Sequence, residues 1–415
     1  MVKNPIFISA FVLAFLFYSG IAKIRDRHPF RTLVNSNEIV RMEGFVSSNP
    51  VKVSFLDGTY RTSFRAKRVF SSSGMFEAKG EVILYFPAEL VEAYYPGKLY
   101  TKTIAKNQTG LLVENGASFI LDVEFFKSKY GNAYVVKKGK SLGWQGNRLT
   151  RPIFKIRASC RLQFKRLMYS WGKAGGLLLA LLSGSREYAE KSVSNAFRDS
   201  GLSHILALSG MHLGLFGALA CFFGRKASGR NFGDALQLGA IVFFVWFAGI
   251  SPSLFRAFLA ALILYLNSLL RMNRPDGLSL LSFCFILHCM IFPAHIMDAA
   301  FMLSYSSLAG IIIFGKLLRK LYPVFIPHKL RLSLADSSAA QLFTFPVALK
   351  LFGRIMPQGI IASLFVSPLV ILFLYLGLFG VIICLVVPFL SVPISVIMNG
   401  LYFIISKLVL FFSFK

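Results

Sequence analysis

Apolar and polar positions recur with different periods along the chain, and the periods divide it into blocks. The first apolar run is "PIFISAFVLAFLFYSGIA", Pro5 to Ala22, with Lys3 before it and Lys23, Arg25 and Arg27 after it. No small-x-small cleavage site precedes those charges and further spans follow, so residues 1–23 read as a retained first transmembrane helix. Residues 24–150 change to strand-like alternation. Glu38–Ser47, Thr59–Phe70, Ala78–Phe86, Gly97–Ala105, Ser118–Phe126 and Asn132–Lys138 are rich in β-branched and aromatic residues, and "DG", "SSSG", "YPG", "NQTG" and "YGN" separate them. Five or six short strands predict a small β-barrel or sandwich, with an OB-like barrel as one candidate.

From Gly172 onward the apolar runs lengthen to membrane scale. Helices are predicted near 172–183, 202–223, 235–250, 254–270, 278–293, 300–315, 335–352, 359–378, 376–390 and 394–413. The expected fold is an α-helical polytopic membrane protein of about eight to ten helices, some broken, with an N-terminal OB-like β domain. Between the blocks, residues 151–171 ("RPIFKIRASCRLQFKRLMYSW") form a basic connector, read as an amphipathic helix on an anionic membrane surface. A second amphipathic helix is expected over Ser185–Gly201.

Composition agrees with this division: 55% of residues are hydrophobic and the mean hydropathy is +0.62. Charge adds something new. The formal net charge is +28, and residues 23–166 hold 26 basic and 11 acidic side chains, a balance of +15 outside the loops between spans. Basic loops such as "GRKASGR", "RMNRPDG", "GKLLRK" and "HKLRLS" favour the cytoplasmic side. A long basic domain is not governed by that rule and suits a polyanionic partner. Five cysteines, none between residues 23 and 159, give the β block no disulfide framework. No cysteine–histidine spacing fits zinc, so no metal or cofactor is expected, and "CFILHC" (Cys284–Cys289) reads as ordinary helix packing. No ATP-binding signature of the Walker or kinase type occurs.

Three constellations carry candidate chemistry. In the strand "TYRTSFRAKRVF", Arg61, Arg65 and Lys67 fall on one face and Arg68 adjoins them, with Tyr and Phe interleaved. That face suits single-stranded nucleic acid and equally the solvated side of an ordinary barrel. In "GLSHILALSGMHLGLFG" (Gly201–Gly217), His204 and His212 stand about 12 Å apart on a straight helix, too far to share a metal. Ser209-Gly210 between them predicts a kink, and a broken helix at membrane depth must line a cavity or lie buried in protein. Gly210, Gly214 and Gly217 equally suit close helix packing. Later helices add Arg256, Asp298, Ser304 and Gln341, which collectively suggest a polar passage. Arg256 follows Ser251-Pro252-Ser253, read either as an interfacial turn with a snorkelling arginine or as a break beside a cavity. Ser209 and His212, three residues apart, also allow a serine–histidine nucleophile and hence an intramembrane hydrolase.

These residues resemble the ComEC competence family. "ALLSGSREYAEKSVSNAFRDSGLSHILALSGMHLGLFGAL" (Ala180–Leu219) is similar to its signature, and "GISPSLFRAFLAALI", "FMLSYSSLAGIIIF" and "AAQLFTFPVALKLFGRI" follow in the family's order. "EGFVSSNP" and "YPGKLY" are weaker markers of its N-terminal OB-like domain. Met302 stands where the family usually has Gln. The resemblance implies a non-enzymatic inner-membrane channel that passes single-stranded DNA during natural transformation, with the OB-like domain on the extracytoplasmic side. It implies membrane lipids, a separate cytoplasmic motor, a DNA receptor and a nuclease as partners, and allows self-association. Many members end in a metallo-β-lactamase-like domain. This sequence has no HxHxDH run, and a form without that domain is expected.

Overall fold

The computed structural model describes residues 5–19, 29–53, 58–95, 110–128, 131–353 and 356–413. The expected strand over 97–105 lies outside these residues, as does the end of the first apolar run. Within that run, helix α1 spans Pro5–Tyr18. Eight strands follow: β1 (Arg31–Thr32), β2 (Ile39–Val46), β3 (Val51–Val53), β4 (Thr59–Ser71), β5 (Gly74–Lys79), β6 (Glu81–Pro87), and, after the short helix α2 (Ala88–Glu92), β7 (Ala117–Ser128) and β8 (Gly131–Trp144). The expected strand 78–86 is thus two strands, divided at Gly80.

The sheet is mostly antiparallel. β4 pairs with β2, β2 with β7, β7 with β8, and β6 with both β4 and β8, the last pairing being parallel. β1, β3 and β5 lie outside this cycle, so among the described residues the domain is an extended eight-stranded sheet rather than a simple closed barrel. In β4, Tyr60, Thr62, Phe64 and Ala66 are buried while the alternate positions face out. An irregularity in the β2–β4 register then shifts the phase, so that Lys67 and Arg68 both face out and Val69 turns in.

The rest of the chain is helical: α3 (Thr150–Ser170), α4 (Gly172–Ser183), α5 (Lys191–Asp199), α6 (Ser203–Leu206), α7 (Gly210–Ala248), α8 (Pro252–Leu269), α9 (Gly277–Ile291), α10 (Ala299–Leu321), α11 (His328–Phe352), α12 (Gln358–Val386) and α13 (Ser391–Ser413). Among the described residues, five helices are long and apolar enough to cross a membrane: α7, α8, α10, α12, and α13 with the short turn before it. The segments expected as separate helices at 359–378 and 376–390 form one helix, α12, with Pro368 inside it. The helix expected over Ser185–Gly201 is confined to α5, and the chain before it is a loop with Ser185 and Glu187 buried.

α7 is not one rod. Ser228 and Gly229 leave helical geometry, and the two arms fold back on each other. A Cβ on Gly224 would lie 2.8 Å from the Gly233 backbone, and one on Gly217 would lie 3.1 Å from Ile241. The basic stretch "GRKASGR" is therefore the tip of a helical hairpin. α4 lies in the middle of the helical domain, with Leu177, Leu178, Leu179 and Leu181 buried against residues of α7, α12 and α13. Its open N-terminal end is met by Asn399 of α13, which accepts from the Ala174 amide and donates to Trp171 O. Trp171 is buried beside it and donates to Ser391 Oγ at 2.9 Å.

Candidate functional site

The break in Gly201–Gly217 runs from Ala207 up to the expected kink at Ser209-Gly210. α6 ends at Leu206, Ala207 and Ser209 are extended, and Ser209 is the residue from which α7 starts. His212 explains the geometry. Its Nδ1 accepts from the Ser209 amide at 3.2 Å and lies 3.0 Å from Ser209 Oγ, a reciprocal cap between the first residue and the first turn. The serine and histidine thus meet as the sequence allowed. The other imidazole nitrogen, Nε2, is buried and has no hydrogen-bond partner among the described residues, so no acid orients the ring as a nucleophile's base requires.

Gly210 packs against α8. A Cβ there would lie 3.1 Å from the Arg256 guanidinium and 3.2 Å from Ala257, whereas Gly214 faces open space. His204 lies on the exposed side of α6 and hydrogen-bonds the backbone of Gly201. Ser251 caps α8 and Pro252 opens it, which ends the preceding arm and starts a new helix one turn before Arg256. The Arg256 guanidinium is turned towards α10. It donates to Ser304 O at 2.8 Å and lies over the Tyr305 ring. Ser209, Gly210, His212, Arg256 and Ser304 therefore sit together at one end of the helical domain.

Behind Arg256 is a hydrogen-bonded chain that sequence reasoning missed. Tyr305 Oη donates to Cys284 O at 3.1 Å, so its one proton is committed and His288 Nδ1 is the donor in their 3.2 Å contact. A neutral His288 then accepts through Nε2 from His295 Nδ1, 3.1 Å away. His288, read as packing within "CFILHC", is fully buried in this chain. The signal available in the sequence was the polarity of a histidine and a tyrosine in apolar helices. Asp298 is exposed at the start of α10. Gln341 lies apart from this cluster, with its side chain 3.1 Å from where a Cβ on Gly359 would be.

The four basic residues expected to bind nucleic acid all lie on the outer face of β4, with different surroundings. Arg65 pairs with Glu81 at 2.7 Å and Arg68 with Glu43 at 2.9 Å. Lys67 lies over the Phe45 ring. Arg61 and Lys67 make no ion pair among the described residues.

The connector departs most from expectation. α3 does not offer its whole basic face to lipid, because Arg157, Arg161, Lys165 and Arg166 are buried where the β domain meets the helices. Arg161 donates to Glu114 at 2.9 Å and to Phe247 O at 2.9 Å. Lys165 pairs with Glu114 at 3.1 Å and with Glu187 at 3.0 Å, and donates to Tyr95 Oη. Arg166 donates to Tyr94 O. Burial raises the Glu114 carboxyl, but the neighbouring Arg161 and Lys165 charges outweigh it and hold it below its ordinary value. Burial likewise lowers Lys165, and Glu114 and Glu187 outweigh that and hold it above.

The Competence protein family matches this chain over residues 181–414, which includes the α6–α7 break, Arg256 and the α9–α10 cluster. ComE operon protein 3 of Bacillus subtilis (strain 168) is 30% identical over 132 residues, 32% of this chain and 17% of that protein. The aligned stretch therefore spans well under two thirds of that relative. No solved structure matches.

Proposed function

The chain belongs to the Competence protein family, and from that premise we propose that it carries single-stranded DNA across the cytoplasmic membrane during natural transformation. The observation that carries the reading is the broken α6–α7 segment, which lies within the family match and sets Gly210 against the Arg256 guanidinium. Non-helical backbone at membrane depth persists where it lines a cavity or is buried in protein, and a guanidinium beside it suits a passing phosphate. The helical domain is the channel, lined by residues of the Ser209–Arg256–Ser304 end together with His204, Gly214, Asp298 and Gln341. The β domain is an OB-like sheet domain on the extracytoplasmic side that receives the strand on the Arg61–Lys67 face. The cycle of five paired strands supports that reading of the sheet. A cytoplasmic motor, a DNA receptor and a nuclease act as separate partners, and membrane lipids surround the helices.

The deciding experiment deletes the protein in a strain shown to be transformable and measures labelled DNA reaching the cytoplasm. Loss is expected, and undiminished uptake overturns the proposal. A second reading, hydrolysis by Ser209 with His212, has their 3.0 Å contact in its favour. The cap already accounts for that contact, and channel function remains the stronger reading.

A further inference from the structure

Arg157 differs from Arg161 and Lys165, the cations that follow it one and two turns along α3. It is 7% exposed, yet among the described residues it pairs with no carboxylate and its buried Nε has no hydrogen-bond partner. Its one side-chain partner among the described residues is Asn49 of the β domain, at 3.4 Å, near the outer limit for a hydrogen bond. Asn49 in turn donates to Ala248 O at the end of α7. On the other side is Gly249, whose φ of +102° carries the backbone close. A Cβ there would lie 3.2 Å from the Arg157 guanidinium and 2.9 Å from the Asn49 amide nitrogen. Arg161, one turn along α3, shows the contrast. It has Glu114 and the Phe247 carbonyl as partners.

We propose that Arg157 is a phosphate-binding residue at the point where a nucleic-acid strand passes from the β domain to the helical domain. This rests on the transport reading above and adds to it a specific contact. A guanidinium with no carboxylate in contact among the described residues and a like charge one turn away is costly to bury, and an arriving oxyanion relieves that cost. The planar fork suits two phosphate oxygens, with the Asn49 amide as an adjacent donor. Burial, followed by repulsion from Arg161 and partly offset by the more distant Glu114 charge, pushes Arg157 down to about 10, so it remains charged at neutral pH. Placement agrees with a route. Asn49 follows β2, which pairs along β4 with its exposed Arg61 and Lys67 face. Gly249 precedes α8, whose Arg256 lies one turn further on against Gly210.

The test uses the full-length protein in lipid nanodiscs with a fluorescent oligothymidylate. Arg157→Gln is expected to weaken binding roughly tenfold and to lower the slope of log affinity against log salt by about one. Arg157→Lys, which keeps the charge and loses the fork, is expected to fall between. If the wild type binds and Arg157→Gln changes neither quantity, the site is overturned while the transport reading stands. If the wild type does not bind at all, both fall. Should Arg157→Gln fail to fold, the wild-type melting midpoint decides. Sodium phosphate is expected to raise it above sodium chloride of equal ionic strength, and Arg157→Lys to reduce that rise. No rise, or an equal rise with a glutamate-rich peptide, overturns the assignment to phosphate.

Discussion

Arg161 donates to the Glu114 carboxylate at 2.9 Å, and both side chains are closed off from solvent. The two residues lie 47 positions apart, one on the connector helix and one just before strand β7. Through Lys165 and Glu187 the same network continues into the loop before α5. The β domain and the helices are therefore joined by buried charges as well as by the chain. Removing one partner of such a pair leaves the other charge buried alone, at a cost of about 3–5 kcal/mol. Glu114→Gln should lower the melting midpoint of the purified protein clearly. The double change Glu114→Leu with Arg161→Met should recover part of the loss, since a well-packed apolar pair avoids the desolvation of both ions.

The same network sets a pH window. The folded value of Glu114 is depressed, so its contribution to stability is complete above its unfolded value of about 4.5 and is lost as pH falls through the lower folded value. Lys165 is raised, so its contribution is complete below about 10.5 and is lost as pH rises through the higher folded value. Melting midpoints followed from pH 7 downward should fall on the acid side, and Glu114→Gln should flatten that fall.

On the β4 face, exposure alone does not rank the basic residues. Arg65 and Arg68 already hold carboxylates, whereas among the described residues Arg61 and Lys67 do not. Replacing Arg61 and Lys67 together by Ala should weaken binding of a single-stranded oligonucleotide and reduce the salt slope by about two. The pair Arg65→Ala and Arg68→Ala should change the slope less. Titration at several salt concentrations separates the two cases.

Ser209→Ala removes a helix cap and should cost about 1 kcal/mol of stability. DNA uptake should persist in this variant once its abundance in the membrane is matched to wild type. Complete loss of transport with unchanged folding would instead favour a chemical role for the hydroxyl.

Gly224 and Gly233 set the spacing of the α7 hairpin. Gly224→Val forces the arms apart and should destabilise the protein by about 1–3 kcal/mol. Gly214→Ala, which meets nothing within 4 Å, should be close to neutral. Thermal melts of the two variants side by side check both.

Periodicity revealed most elements because each is a local pattern. The burial alternation of β4 and the two arms of α7 could be read from the positions of apolar residues alone. Pairing partners were less accessible. The basic run of α3 looked like a lipid-facing surface because its neutralising residues, Glu114 and Glu187, lie far away in sequence and on opposite sides of the helix in chain order. His288 was hidden for a similar reason, since its partners Tyr305 and His295 come from the next helix and the turn before it. Ser209-Gly210 was recognised as a disruption, but the cap from His212 depends on ring orientation, which spacing does not specify.

The buried position of α4 has a consequence for biogenesis. Twelve residues long, it is too short to cross a bilayer alone, and α13, which covers it, begins about two hundred residues later. During synthesis the leucines of α4 emerge well before their final neighbours exist. The nascent chain must shelter this helix at the insertion machinery or the membrane interface until α12 and α13 arrive, so truncation within α13 should leave an early segment without its neighbours and expose it to quality-control proteolysis.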